Sequence, residues 1–198
     1  MPPARKPWPM RWIVIAIMVF VGLYTYLNLH FRKPGPAYLP YEDAQQRAGL
    51  ARAGYHRISL KVDRPADPKP LVALASTAAA PGGLPADLRA TLTDPLLLPA
   101  EIGKVEAAAA ASAAVPYRIA FSWVETDNRE DLAGAHVYIK GADVFVVPDC
   151  EHLAEGLTAR ARAGVAVVTL PSDSLVAGTY RVTLAAERTA RSWTLQVH

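Results

Sequence analysis

The hydrophobic pattern of the chain changes character four times. Residues 12–29 (WIVIAIMVFVGLYTYLNL) form an uncharged apolar run between Arg11 and the trio His30, Arg32 and Lys33. At 1.5 Å per residue such a helix reaches roughly 27 Å, close to the hydrocarbon thickness of a bilayer. Trp8, Trp12, Tyr24 and Tyr26 are placed to sit near the two interfaces. Residues 41–54 (YEDAQQRAGLARAG) predict a short helix instead, with Glu42 and Asp43 in its first turn and Gly54 as its stop. Its apolar positions are mostly alanine, so the face it buries is thin.

From residue 56 the period becomes two. In HRISLKV, Ile58, Leu60 and Val62 alternate with Arg57, Ser59 and Lys61, the pattern of a half-buried strand. Pro65, Pro68 and Pro70 stop it. An alanine- and proline-rich insertion at 65–115 follows and is expected to be partly mobile or loosely packed. Within it, residues 84–98 can supply one short helix. Residues 101–114 (EIGKVEAAAAASAA) have high helix propensity on composition, which predicts a peripheral helix or a linker.

Beyond residue 115 the alternation returns. Tyr117, Ile119, Phe121 and Trp123 mark a strand, and residues 125–131 (ETDNRED) a solvated loop. Residues 135–139 and 143–147 predict a hairpin across Lys140, Gly141 and Ala142. Residues 151–163 cross over as a short helix or irregular turn to strands at 165–170, 179–184 and 192–197. Near the end, LVAGTYRVTL resembles the tyrosine corner of immunoglobulin-like sandwiches, with Tyr180 bonding back to upstream backbone and Trp193 packing inside. The expected fold is a single N-terminal transmembrane helix followed by a mainly β, immunoglobulin-like antiparallel sandwich with short peripheral helices. Its parts are a cytoplasmic tail at 1–11, the span at 12–29, a juxtamembrane linker and helix at 30–54, and an extracytoplasmic domain at 55–198.

The flanks of the apolar run decide how it is read. No small-residue cleavage site follows the core, and the chain turns basic at once and then stiff through Pro34, Gly35 and Pro36, so an uncleaved anchor is expected. Arg5, Lys6 and Arg11 precede the helix, whereas Arg32, Lys33, Arg47 and Arg52 follow it. The short basic tail favours a cytoplasmic N terminus, since long domains translocate with little regard for their charge. This puts the C-terminal domain in the periplasm of a bacterial inner membrane. Thr25, Asn28 and Gly22 offer places for helix contact with a larger membrane complex.

Composition narrows the chemistry. The net charge is +3 and the basic residues are scattered, which excludes a nucleic-acid stripe. The basic residues at the membrane suit lipid head groups better. One cysteine, Cys150, cannot form an internal disulfide. About 165 residues after the anchor suffice for one domain with its own core.

No catalytic, cofactor-binding or metal-binding residue is assigned. Asp149, Cys150, Glu151 and His152 offer donors within four positions, but a closed zinc or copper site needs three or four converging ligands, and only His56, His136 and His198 could join them. Glu125, Asp127, Glu130 and Asp131 fit no calcium-loop spacing, with Arg129 interrupting them. There is no G-x-S-x-G elbow and no histidine placed to act as its base.

In layout, in the segment around Tyr41 and in the strands LVAGTYRVTL and SWTLQV, the chain resembles the FixH-like accessory proteins of cbb3-type respiratory oxidases. The resemblance implies a role in assembly of, or attachment to, an integral membrane oxidase, with no catalytic residues to transfer. The function expected is that of a non-enzymatic accessory or assembly subunit of a bacterial membrane protein complex. The alternative is a membrane-tethered extracytoplasmic ligand-binding module.

Overall fold

A computed structural model describes residues 9–31, 41–72, 77–125, 127–159 and 161–198 of the chain. The tail before residue 9 and the proline-marked exit at 34–40 lie outside the described residues. Two compact units are present, Met1–Pro40 and Tyr41–His198.

The first unit holds one helix, α1 (Met10–Phe31). Its window Met10–Asn28 is long and apolar enough to cross a membrane, and none of it is buried. Asn28, the most polar residue of the run, donates its side-chain amide to the Tyr24 carbonyl at 3.0 Å, so the helix satisfies that group internally. Phe20 stacks on Tyr24 and Tyr26 on His30, both at the i, i+4 spacing that brings helical side chains together.

The second unit opens with α2 (Tyr41–Arg52) and then builds β1 (His56–Leu60), β2 (Val62–Asp63), β3 (Ala78–Pro81), α3 (Ala86–Thr91), β4 (Glu101–Ala107), β5 (Ala110–Ala111), β6 (Tyr117–Val124), β7 (Glu130–Lys140), β8 (Asp143–His152), β9 (Ala163–Leu170), β10 (Gly178–Leu184) and β11 (Thr189–Val197). All eleven strands belong to one sheet, whose main path runs β1-β7-β8-β10-β11-β4-β6-β9-β2, with β3 and β5 both added to β11. The two ends of that path are neighbours in the chain, separated by Lys61 alone. The stretch from 56 to 63 pairs first with β7 and then with β9, so it nearly closes the sheet into a barrel.

Three pairings are parallel: β8 with β10, and β11 with both β4 and β5. The sheet is therefore mixed and continuous where the sequence predicts two antiparallel layers. The reason is topological. Alternation tells which face of a strand is buried but carries no information about which neighbour it pairs with.

Inside lies the main core. Val105, Ile119, Phe121, Trp123, Val137, Val144, Val146, Val168, Val182, Trp193 and Leu195 meet there from alternate positions of their strands. A polar chain runs through this core: the Trp193 indole donates to Tyr117 Oη at 3.1 Å, and Tyr117 donates in turn to the Ala108 carbonyl at 2.7 Å. Both polar side chains thus find partners, as most buried polar groups do. The opposite positions of the hairpin, Tyr138 and Val147, face outward onto Leu50 of α2 and Leu88 of α3 in a second, smaller cluster. The tyrosine corner is present as expected, with Tyr180 Oη donating to the Val176 carbonyl at 2.9 Å.

Three expectations change. Residues 101–107 and 110–111 are strand, not helix. Ile102, Val105 and Ala107 are buried there, with a register shift between Ile102 and Val105. Helix propensity is worth at most about 0.7 kcal/mol per ordinary residue, and a pairing slot beside β6 outweighs it. At the shift, Gly103 sits so close to Ser122 that an added Cβ would lie 2.6 Å from its Oγ, and that hydroxyl accepts the Lys104 amide at 2.8 Å.

The insertion at 65–115 is likewise more than loose chain. Besides α3, the short helix expected within 84–98, it contributes β3, β4 and β5, and it buries Leu88, Ala100 and Ile102 completely or nearly so. Finally, β8 extends to His152, and of the two forms expected for the crossover the described residues up to β9 take the irregular turn and not the short helix.

Candidate functional site

The helix α2 ends in a tight C-terminal motif. Gly54, at φ +80°, donates its amide to the Ala51 carbonyl at 3.1 Å, while Tyr55 donates to Leu50 at 2.8 Å. This is the Schellman arrangement, and the Leu50–Tyr55 apolar contact that accompanies it belongs to the outer cluster. The glycine is required because the left-handed conformation is costly for a residue with a Cβ. Its effect is to turn the chain back directly into β1.

Between the helix and that strand lies an open groove of about 700 Å³, lined by Arg47, Leu50, Ala51, Tyr55 and the consecutive residues His56, Arg57, Ile58 and Ser59. None of these lining residues is acidic. Arg57 crosses from the groove to the outer face of the β7–β8 hairpin, where its Nη1 donates to Gln46 Oε1 at 3.1 Å and its Nη2 lies 3.2 Å from His136 Nε2. His136 Nε2 is in turn 3.4 Å from Asp149 Oδ2. Arg57 Nε is buried without a hydrogen-bond partner.

A second polar node ties this face together. Tyr55 Oη and Lys140 Nζ both donate to Asp87 Oδ2, at 2.7 and 2.8 Å, and the Lys140 ammonium stands 4.7 Å from the centre of the Tyr55 ring. The Lys140 hydrogen bond, followed by that of Tyr55, holds the Asp87 carboxyl down at about 2. Burial, and then the bond to Asp87, pushes the Tyr55 phenol up. Burial also raises Tyr138, between the two nodes, to about 12. Asp87 and the two phenols hold fixed protonation states at neutral pH, and the node braces α3 and the hairpin against the start of β1.

The remaining chemistry is internal. Glu125, which the sequence places in a solvated loop, is 2% exposed. Its backbone amide donates to the Arg162 carbonyl at 2.7 Å, and its Oε1 accepts a hydrogen bond from Cys150 Sγ at 2.9 Å. Oε2 is buried with no hydrogen-bond partner among the described residues. Burial raises the Glu125 pKa, and burial followed by the Glu125 hydrogen bond raises that of the Cys150 thiol. A raised thiol pKa removes the thiolate that nucleophilic or metal-binding chemistry needs.

The four donors at 149–152 diverge because they lie on a strand, whose side chains alternate. Asp149 meets His136, Cys150 points inward to Glu125, Glu151 is exposed, and His152 Nδ1 lies 3.7 Å from Glu130 Oε1. Of the acidic residues at 125–131, Asp131 pairs with Arg64 and Asp127 accepts the Arg129 amide. Among the described residues no three His, Cys, Asp or Glu side chains converge on a metal position.

Sequence reading did not single out Arg57, His136 and Asp149 as a group, and no local signal unites them. They are joined only by the β1–β7–β8 pairing. Comparison with known proteins found no family model, no curated protein and no solved structure that matches the chain.

Proposed function

We propose that the chain is a membrane-anchored, non-enzymatic accessory or assembly subunit of a bacterial membrane protein complex. The observation that carries this reading is the pairing of a wholly exposed apolar helix of membrane-spanning length with a compact β unit. The helix would cross the inner membrane and the β unit would stand in the periplasm. A helix of this kind gains by packing against other membrane helices, and Gly22, with open space around it, permits close approach. The tyrosine-corner bond supports kinship of the C-terminal strands with immunoglobulin-like domains. The layout shared with FixH-like proteins makes a respiratory oxidase the complex to test first.

A second reading, a membrane-tethered ligand-binding module, draws on the groove between α2 and β1. The two separate on purification. Tagged full-length protein extracted from its own membranes in mild detergent should bring with it a stoichiometric set of integral membrane subunits. Recovery of the chain alone would overturn the accessory reading and favour the module.

A further inference from the structure

The groove beside β1 is bordered by a strand edge. Side chains alternate across a strand, so a cavity opening on one face touches every second residue. Here four residues in a row, His56 to Ser59, line it, together with Arg47, Leu50 and Ala51 at the i, i+3, i+4 positions of α2. That pattern belongs to an edge. The pairing agrees: among the described residues β1 is hydrogen-bonded to β7 on one side only, and it stands at the end of the sheet path.

Unpaired strand edges are templates for another chain, and proteins ordinarily blunt or cover them. This one is left beside a groove whose size falls within the usual range for ligand sites, roughly 300–1,000 Å³. Its five residues reach about 17 Å at 3.4 Å each, enough for a short extended segment.

Charge selects among such segments. Arg47 is exposed, and neither its side chain nor that of His56 makes a hydrogen bond or ion pair among the described residues. Arg57 adds a third basic side chain to the lining, its Nη atoms held by Gln46 and His136. On the hairpin, the Asp149 carboxylate is already engaged with His136. Apolar contact comes from Leu50, Ala51, Tyr55 and Ile58, so a segment alternating small apolar and acidic residues matches both parts of the lining.

We propose that β1 is a docking edge to which an extended acidic peptide segment of a partner protein adds as a further strand, its backbone bonding to β1 and its carboxylates meeting Arg47 and His56. Main-chain bonds supply affinity in this mode and the side-chain positions supply selectivity. The proposal deepens the accessory reading and rests on it only for the source of the peptide.

The test uses the full chain in an uncharged mild detergent and three fluorescent heptapeptides: one alternating Glu and Val, one alternating Lys and Val, and the acidic one N-methylated at alternate backbone nitrogens. Fluorescence anisotropy should show the acidic peptide binding at least about tenfold tighter than either of the others, with Arg47→Glu costing a similar factor, as loss of a rim charge and of strand bonds predicts. Amide exchange at β1 should slow when the peptide is added. Equal binding of acidic and basic peptides, or undiminished binding of the N-methylated one, overturns strand addition without any change to the protein itself. Arg47-dependent binding of phosphatidylglycerol micelles with no binding of the acidic peptide would assign the groove to a lipid head group and overturn it too. Peptide binding by a chain recovered alone from native membranes would retire the accessory reading and leave the docking edge standing. A stoichiometric complex with no peptide binding would do the reverse.

Discussion

Cys150 donates its thiol hydrogen to Glu125 Oε1 over 2.9 Å inside the nearly closed sheet, joining the end of β6 to the far part of β8. The partners are 25 positions apart, and the acceptor's second oxygen has no hydrogen bond. A carboxyl in that position is favoured in its neutral form, since an isolated buried charge is costly.

Stability should therefore depend on pH through Glu125. Its folded pKa is raised above the ordinary 4.5, first by burial. Between the unfolded and folded values the native state binds more protons than the unfolded one, so stability falls as pH rises through that window. Glu125→Gln keeps the shape and removes the titration. Denaturant unfolding at a series of pH values should show a flatter profile for the variant and a gain relative to wild type on the alkaline side. Parallel profiles would sink the assignment of a buried neutral carboxyl.

The same pair predicts chemical silence at Cys150. The side chain is 3% exposed, and its thiol pKa is raised by burial and by the Glu125 carboxyl. Alkylation needs an accessible thiolate. Iodoacetamide followed by mass spectrometry should leave the native protein unmodified at neutral pH, with labelling appearing along the denaturant curve in step with unfolding. Fast modification of the folded protein would contradict the geometry.

Tyr180→Phe deletes one hydroxyl and with it the bond to the Val176 carbonyl. A single hydrogen bond of this kind is worth about 1 kcal/mol, which for a domain of this size lowers Tm by roughly 2–4 °C. Thermal unfolding followed by circular dichroism checks it, and an unchanged midpoint would mean that the corner bond contributes nothing.

Gly82 lies against the backbone of the β10–β11 connection. A Cβ added there would run into the Glu187 carbonyl oxygen and the Arg188 backbone, neither of which can rotate aside as a flexible side chain would. Gly82→Ala should cost about 1–3 kcal/mol, the usual range for forced overpacking. Gly141→Ala is the comparison: the added methyl meets nothing within 4 Å, and only its φ of +58° is penalised. Urea midpoints of the two variants separate steric clash from backbone strain.

Local features were legible in the residues themselves. The uncharged run at 12–29, the Gly54 stop of α2, the alternation of Tyr117, Ile119, Phe121 and Trp123, the hairpin at Gly141 and the Tyr180 corner all depend on neighbours within a few positions. Short-range sterics and periodicity decide such features, so the sequence alone determined them. Tertiary structure decided the rest. Residues 101–107 became a strand because β6 and β11 leave a slot that propensity cannot resist, and Glu125 was drawn inside because Cys150 and Arg162 meet it from distant parts of the chain. The near-closure of the sheet through residues 56–63 and the open edge beside α2 follow from which strands pair, and pairing between distant segments leaves no mark in the period of either one.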